Sequence, residues 1–387
     1  MGMWIGRGRK ARVCYGFDDI SLVPGNITLN PVDVDISTEI AGKHLAVPIL
    51  AAAMDGVVDT RFAIAFGKAG GLAVLNLMGI YTRYEDPYSV IEEIIACPQG
   101  KATALIQKIY HEPVKEQLII KIIQEIKKEN VICAVSSIPQ YAERFGAIAQ
   151  DAGADIFVVQ STVTTARHFS STYKPLDLSE FCSSMKIPVI AGNCVTYQVA
   201  LELMETGISG LLVGIGPGAA CTTREVLGVG VPQVAATCDC AAARDFFYKR
   251  AGRYVPIITD GGMITSGDVC KAFACGADAV MVGSAFVRAE EAPAKGYHWG
   301  MATSDENLPR GTRIYLGIAG PLNQILFGPS TTDDGSQNLM GALRLSMASI
   351  GVRNIKELQL VDIAIAPSIK TEGKIYQTAK KQALIGK

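Results

Sequence analysis

The sequence predicts a (β/α)8 barrel, and three observations carry that expectation. Eight short runs of β-branched and aliphatic residues recur along the 387-residue chain. Small or polar residues follow each run and a segment of helical character follows those, the pattern of parallel strands joined by crossover helices. A chain of this length has room for two average domains or for one barrel with additions, and eight repeats of one unit select the barrel.

Taken in order, the expected strands are PILAA at 48–52, LAVLN at 72–76, VICAV at 131–135, DIFVVQ at 155–160, PVIAG at 188–192, GLLVG at 210–214, PIITD at 256–260 and AVMVG at 279–283. Two connections read clearly as helices. In TYQVALELMETG, between the fifth and sixth runs, Val199, Leu203 and Met204 recur at helical spacing and Gly207 follows as a stop. SGDVCKAFACGAD, after the seventh run, is again closed by glycine. Two stretches fall outside the repeat. Residues 82–130 form an over-long connection between the second and third strands, with VKEQLIIKIIQEIKKEN expected to pack on the outside. Residues 289–313, rich in proline, glycine and charge, suit a flap over the barrel mouth.

Composition narrows the class. Hydrophobic residues make up 49%, and 36 Lys and Arg nearly cancel 37 Asp and Glu. No apolar run reaches the roughly 20 residues that a membrane helix requires. Neither nucleic acid nor a membrane is therefore an expected partner. Residues 1–12 carry Arg7, Arg9, Lys10 and Arg12 without the apolar stretch of a secretory signal, so a cytoplasmic protein is expected. Ten cysteines lie mostly in apolar segments, Cys133, Cys194, Cys270 and Cys275 among them, as reduced core thiols do. Cys238 and Cys240 lack a second Cys/His pair at zinc-site spacing, so packing is the better reading of that pair.

A barrel enzyme carries its active site at the C-terminal ends of its strands. By register, Met54-Asp55, Asn76, Ser136, Gln160, Asn193, Cys221, Asp260-Gly261-Gly262 and Gly283-Ser284 each follow one strand. One rim residue alone caps a helix as readily as it touches a ligand; their convergence carries more weight. The run Gly216-Pro217-Gly218-Ala219-Ala220-Cys221-Thr222-Thr223-Arg224 ends the sixth strand in a glycine turn with a thiol on it. Cysteine is nucleophilic as thiolate, which backbone N–H groups and nearby hydroxyls stabilise in a partly dry pocket. From these residues alone a packed turn cysteine and a nucleophile fit equally well, and Thr222 and Thr223 could cap the next helix or pass a proton. A second constellation, ITDGGMITSGD followed by MVGS, occupies the last two strands, whose loops in such barrels commonly hold a phosphate. Gly261, Gly262, Gly283 and Ser284 would offer backbone N–H groups there, and Asp260 would accept hydrogen bonds from a sugar diol.

These motifs resemble a known family. GIGPGAACTTREVLGVGVPQ, ITDGGMITSGDVCKAFACGADAVMVGS and the opening YGFDDISLVPG are similar to the inosine monophosphate (IMP) dehydrogenase and guanosine monophosphate (GMP) reductase family, along nearly the whole chain. TRYEDP and EEAPAKGYHWGMATSDENLPRGTRI resemble its short branch, which lacks the paired cystathionine-β-synthase modules usually inserted after the second strand. The helical connection at 82–130 stands in place of that insert.

The resemblance implies chemistry at the purine C2 atom. Cys221 would attack C2 of IMP, a hydride would leave for NAD, and water would release xanthosine monophosphate (XMP). Thr223 matches the hydroxyl beside the cysteine and Asp260 the ribose ligand. Gly261, Gly262, Gly283 and Ser284 match the phosphate cradle. Met54 falls on the substrate side, with the backbone of Met301 and Ala302 on the purine edge. Gln160, Asn193 and Gly214 fall on the cofactor side. Carbonyls of Gly216, Gly218 and Cys221 match the ligands of a monovalent cation, K+, with Glu372-Gly373 resembling a neighbouring subunit's contribution, and a homotetramer is implied.

The chain departs from the family pattern in several places. Gln160 stands where an aspartate usually holds the nicotinamide ribose, and Ala52 where a serine commonly binds substrate. Arg310 is the candidate water-activating base although no tyrosine follows it, with Arg313 in reserve. Leu316 stands where reductases place the glutamate that manages ammonia. That favours IMP oxidation over the alternative, reduction of GMP with NADPH. A third reading is a nucleotide-binding relative with little turnover, supported by the short flap and Gln160 and opposed by Cys221, Thr223 and Asp260. A flavin-dependent barrel would share the phosphate cradle without explaining the thiol turn.

Overall fold

The structure, a computed structural model, describes residues 2–300 and 312–366. Its centre is the expected closed barrel. Strands β1 (Ile49–Ala51), β2 (Leu72–Asn76), β3 (Ala134–Ser137), β4 (Ile156–Gln160), β5 (Val189–Cys194), β6 (Gly210–Val213), β7 (Ile257–Asp260) and β8 (Ala279–Val282) pair in chain order, and β8 closes on β1 in parallel. The third strand begins later than its aliphatic run. Residue Cys133 is tied to the approach to β4 instead, its N–H donating to Asp155 Oδ2 (2.9 Å) and its carbonyl accepting from Asp155 N (2.8 Å).

Strand parity explains the layering. Leu50, Leu72, Val74, Ala134, Ile156, Val158, Ile190, Leu212, Ile258, Ala279 and Met281 fill the barrel interior as one cluster. Their neighbours, including Ile49, Leu75, Val135, Phe157, Val159, Leu211, Val213 and Val280, point outward and pack under the helices. Successive side chains on a strand face opposite ways, so the next inward position at each C-terminal end is decided by the hydrophobic positions before it. Those positions are Ala52, Asn76, Ser136, Gln160, Gly192, Gly214, Asp260 and Gly283. The opposite end is plugged by a hairpin, Thr38–Ile40 with Lys43–Leu45, which puts Ile40, Ala41 and Leu45 into the interior cluster.

The connections bear out two expected helices and revise a third. Tyr197–Glu205 is capped by Thr196 and buries Leu203 and Met204; Ser266–Ala274 has a capping box between Thr265 and Asp268. The helix α1 (Thr60–Lys68) starts where Asp59 accepts from Phe62 N at 2.6 Å and buries Phe62 and Phe66. The connection after β2 holds α2 (Pro87–Ala96), α3 (Gln99–Ile109) and α4 (Glu116–Lys128). VKEQLIIKIIQEIKKEN is not an external addition. Its helix α4 buries Leu118, Ile119, Ile122, Ile123 and Ile126 and takes the regular crossover place, with Lys127 bridging to Asp155 at 2.6 Å. Only α2 and α3 are added, and they form a satellite core with Tyr110 and Trp299. The flap region leaves and rejoins the barrel through a ribbon, Tyr297–His298 against Ile314–Tyr315.

One buried ion network ties the end of the ring to the barrel. Asp278, at 2% exposure, accepts from Arg244 Nη1 (2.8 Å), Ile257 N (2.8 Å), Tyr254 OH (2.7 Å) and Gln359 Nε2 (3.1 Å), and from Lys356 Nζ. Burial alone would raise its carboxyl; Arg244 and then Lys356 outweigh that and hold it below the usual carboxylate range. Its contribution is therefore present above the unfolded-state value and is lost as pH falls through the depressed native one. Asp278→Ala strips Arg244 of its buried counter-ion and is expected to cost about 3 kcal/mol or more. Urea unfolding at pH 7 measures this, and a loss below about 1 kcal/mol would remove the network from the account of stability.

Candidate active site

The inward residues at the strand ends floor a cavity of about 470 Å³, and it includes Asn76, Ser136, Gln160, Asn193, Cys221 and Asp260. Gln160 and Asp260 reach it by the parity of Val158 and Ile258. Asn193 reaches it differently. Register slips between Gly192 and Cys194 where β5 pairs with β6, and this bulge turns the amide inward while Cys194 packs beneath the helices.

The thiol turn rises from β6. Gly214 sits at φ +146°, and a Cβ there would lie 2.4 Å from Asp260 O; at Gly216, φ +71°, one would lie 2.7 Å from Arg224 Cγ. Both positions therefore exclude larger residues. Arg224 clasps the turn, its Nε donating to Ile215 O (3.1 Å) and its Nη2 to Val231 O (2.7 Å). Sequence reasoning gave Arg224 no role, since only the fold brings both ends of the loop to it. Inside the loop, Cys221 N donates to Gly218 O (3.0 Å) and Cys221 Sγ lies 3.2 Å from Thr223 Oγ1. Cys221 is half-buried and faces the cavity, and Thr223 is buried. Thr222 makes no capping bond to the short helix Thr223–Val226.

Asp260 faces the thiol turn across the floor. Its Oδ2 accepts from Asn193 Nδ2 (2.8 Å) and Gln160 Nε2 (3.1 Å). Gln160 and Asn193, placed by resemblance on the cofactor side, thus spend their amides on the carboxylate itself. Burial raises Asp260 to about 6, against the pull of these two donors.

Beyond Asp260 the chain turns through Gly261 and Gly262 at φ +78° and +80°. A Cβ at Gly262 would lie 2.8 Å from Pro217 Cβ, and one at Gly283 2.9 Å from Met54 Sδ. The backbone amides of Gly262, Gly283 and Ser284 donate to no backbone acceptor among the described residues, but the expected fourth donor, Gly261 N, is spent on Met281 O (3.0 Å) because it continues the β7–β8 pairing. Bare N–H groups in a glycine loop form an anion-binding concavity.

Met301, Ala302, Arg310, Glu372 and Gly373 lie outside the described residues. Arg313, the reserve base, is a structural fastener instead. It is 5% exposed and donates to Gln99 Oε1 (3.0 Å), Ile95 O (3.3 Å) and Ile94 O, which binds the flap's base to α2 and α3. A guanidinium committed to three acceptors outside the cavity has no path to a water beside Cys221. Leu316 packs against the core. His298 went unread in the sequence, yet it lines the cavity; its place between aromatic Tyr297 and Trp299 was the available signal of burial.

Comparison with known proteins bears on this arrangement. The family model described as "IMP dehydrogenase / GMP reductase domain" matches residues 14–373. The chain belongs to that family. It is 38% identical over 370 residues to an uncharacterized oxidoreductase of Mycobacterium tuberculosis, covering 93% of this chain and 99% of that one. An inosine-5'-monophosphate dehydrogenase of Methanocaldococcus jannaschii is 27% identical over 472 residues, covering 90% of this chain and 92% of that one. Among solved structures, an IMP dehydrogenase/GMP reductase-like protein from Corynebacterium glutamicum superposes with a TM-score of 0.89 at 38% identity, covering 94% of this chain and 97% of that one. Membership of the IMP dehydrogenase / GMP reductase family makes this an oxidoreductase-family barrel. Among the described residues, no helix is long and apolar enough to cross a membrane.

Proposed function

We propose that the protein is an IMP dehydrogenase that oxidises IMP to XMP through a covalent adduct on Cys221. The observation that carries the reading is one cavity holding Cys221 Sγ 3.2 Å from Thr223 Oγ1, a half-buried carboxylate at Asp260, and glycine amides that meet no backbone acceptor among the described residues. The Cys221 thiolate forms a C–S bond at C2, and the C2–H bond breaks with its electron pair leaving as hydride. Water then forms the C2–O bond, the C–S bond breaks, and the sulfur regains its thiolate. Thr223 holds or moves the proton beside the sulfur, and Arg310 is the proposed base for the water. Asp260 accepts from the ribose hydroxyls, the amides of Gly262, Gly283 and Ser284 face the phosphate with Gly261 shaping the turn between them, and Met54 borders the nucleotide. Met301 and Ala302 are assigned to the purine edge.

NAD, when bound, supplies the hydride acceptor. The polar wall over β3 and β4, with Ser136, Ser137 and Thr164, suits its ribose, and Gln160, Asn193 and Gly214 border that space. The carbonyls of Gly216 and Cys221 accept no backbone hydrogen bond among the described residues, which suits a monovalent cation such as K+ steadying the turn together with Gly218. On this reading the enzyme works in the cytoplasm as a homotetramer.

The test is to follow reduced cofactor by absorbance with IMP plus NAD, and separately with GMP plus NADPH. NADH formed only in the first mixture is the expected result. NADPH loss only in the second would make the protein a GMP reductase, and silence in both a binding protein. The apolar side chain of Leu316, packed against the core, argues against the reductase, which needs an acid to handle ammonia.

A further inference from the structure

Neither thiol of the CDC motif, Cys238 or Cys240, lines the cavity, yet each meets a partner of its own. Both belong to the helix Gln233–Ala251, and residues two apart on a helix face different ways. Cys240 turns into the core, its Sγ 3.9 Å from Cys194 Sγ, and both are at most 1% exposed. Cys238 turns to the next crossover helix, Ser266–Ala274, where its thiol shares a hydrogen bond with that of Cys275, the residue that ends this helix. The packing of the two helices accounts for the meeting. Cys238, Ala241 and Arg244 recur at three-residue spacing along one face. A Cβ on Gly276 would lie 2.5 Å from Ala241 Cβ, and Arg244 Nη1 donates to Gly276 O at 2.7 Å. The glycine thus lets the end of one helix press onto the flank of the other, one turn along from Cys238. A disulfide needs such an approach, since its two Cα atoms must come within roughly 7 Å.

The two pairs differ in access. Cys238 is exposed and Cys275, 5% exposed, lies behind it, whereas Cys194 and Cys240 are sealed in the core. Arg12, paired with Asp239 at 2.7 Å, brings a guanidinium to the exposed thiol. The bond from Cys275, with Arg12 in support, holds the Cys238 thiol below its ordinary value against burial and Asp239; the same bond and burial push Cys275 up. Cys238 is thus built as an attacking thiolate and Cys275 as its resolving thiol.

We propose that Cys238 and Cys275 form a reversible disulfide in response to hydroperoxides, a modification site apart from the cavity that braces the two helices flanking β7. The Cys238 thiolate attacks one oxygen of the peroxide. An S–O bond forms, the O–O bond breaks, and the departing oxygen takes up the proton that Cys238 had released. Cys275 then attacks the Cys238 sulfur; the S–S bond forms, the S–O bond breaks, and the hydroxyl leaves as water with the Cys275 proton. Two thiols are oxidised and one peroxide is reduced. The crosslink closes a loop that contains β7 with Asp260 and the glycine turn after it, and closing a loop constrains the unfolded chain.

Non-reducing peptide mapping by mass spectrometry, on the full chain treated with stoichiometric hydrogen peroxide, tests this. Cys221→Ala serves as the parent protein, because the cavity thiol would otherwise consume oxidant. The expected product is a single chain with Cys238 linked to Cys275, reversed by dithiothreitol, while Cys194 and Cys240 stay free thiols. The oxidised chain should melt roughly 3 °C or more above the reduced one and fall back on reduction. In Cys275→Ser the linkage should vanish and dimedone should capture Cys238 as its sulfenic acid; in Cys238→Ser neither product should form. Cys238 oxidised without linkage in the parent, linkage to Cys14 or to a second chain, Cys194 joined to Cys240 in its stead, or a linked protein that melts no higher would overturn the proposal. Mapping of the parent decides the matter whether or not either serine variant folds.

Discussion

Cys221→Ala should lower turnover of IMP by roughly 10⁴-fold or more while leaving IMP affinity within a few-fold of wild type. The magnitude follows from losing a nucleophile through which every later step passes. Its specificity follows from the geometry. Cys221 is half-buried on a turn held by Arg224 and by Cys221 N to Gly218 O, so removing one sulfur leaves the loop's bonds in place. Single-turnover absorbance separates the readings: the variant should show no burst of NADH even with enzyme in excess over IMP. Full turnover in Cys221→Ala would end the covalent mechanism in either direction of the reaction. A variant that lost IMP binding in proportion to rate would instead make the thiol a binding group.

Asp260→Asn should weaken inosine binding about 10-fold or more above pH 7 and at the same time raise thermal stability there. The two effects have one cause. Burial lifts the Asp260 carboxyl to about 6, so the native state holds its proton more tightly than the unfolded chain, whose carboxyl titrates near 3.9. A native value above the unfolded one means that ionised Asp260 costs stability above pH 6, and that the cost disappears as pH falls toward 4. The shift corresponds to about 3 kcal/mol as an upper bound; water at the cavity mouth screens the charge, and we expect ~1–2 kcal/mol. Asn keeps an acceptor for Asn193 and Gln160 but gives up the negative charge that bonds a sugar diol strongly. Inosine is the right probe because it has the diol without the phosphate. In wild type its affinity should fall as pH drops from 7 to 5, and in Asp260→Asn that dependence should vanish. A variant no more stable than wild type at pH 8 would mean that the carboxylate is better solvated than its burial implies.

The helical insert shows where reading a linear pattern reaches its limit. VKEQLIIKIIQEIKKEN announces an amphipathic helix, and α4 is one, but an apolar stripe says only that a surface is covered. The stripe of Ile119, Ile122, Ile123 and Ile126 covers the barrel, in the ordinary crossover place. The genuine addition, α2 and α3, is less periodic because it packs against Tyr110 and Trp299 in a small core of its own. Arg313 carries the same lesson. A charged residue in a Gly- and Pro-rich stretch reads as solvated or catalytic, whereas carbonyl groups of α2, from distant sequence, bury it.

The sequence by itself determined the barrel, the order of its strands and most of the cavity floor. Strands buried on both faces must be continuous aliphatic runs, and their two-residue period then points Asn76, Ser136, Gln160 and Asp260 inward at the mouth without further information. Its glycine turns also marked Cys221 with Thr223 and the bare amides of Gly262, Gly283 and Ser284, whereas only the fold shows that Gly261 N is taken by Met281 O. Only the tertiary structure decided who serves whom. A bulge in β5 turned Asn193 onto Asp260, the closing ribbon carried His298 to the cavity, and Arg224 found both ends of the thiol turn. These are contacts between residues far apart in the chain, and no local propensity encodes them, because hydrogen-bond partners and desolvation exist only after the loops have converged.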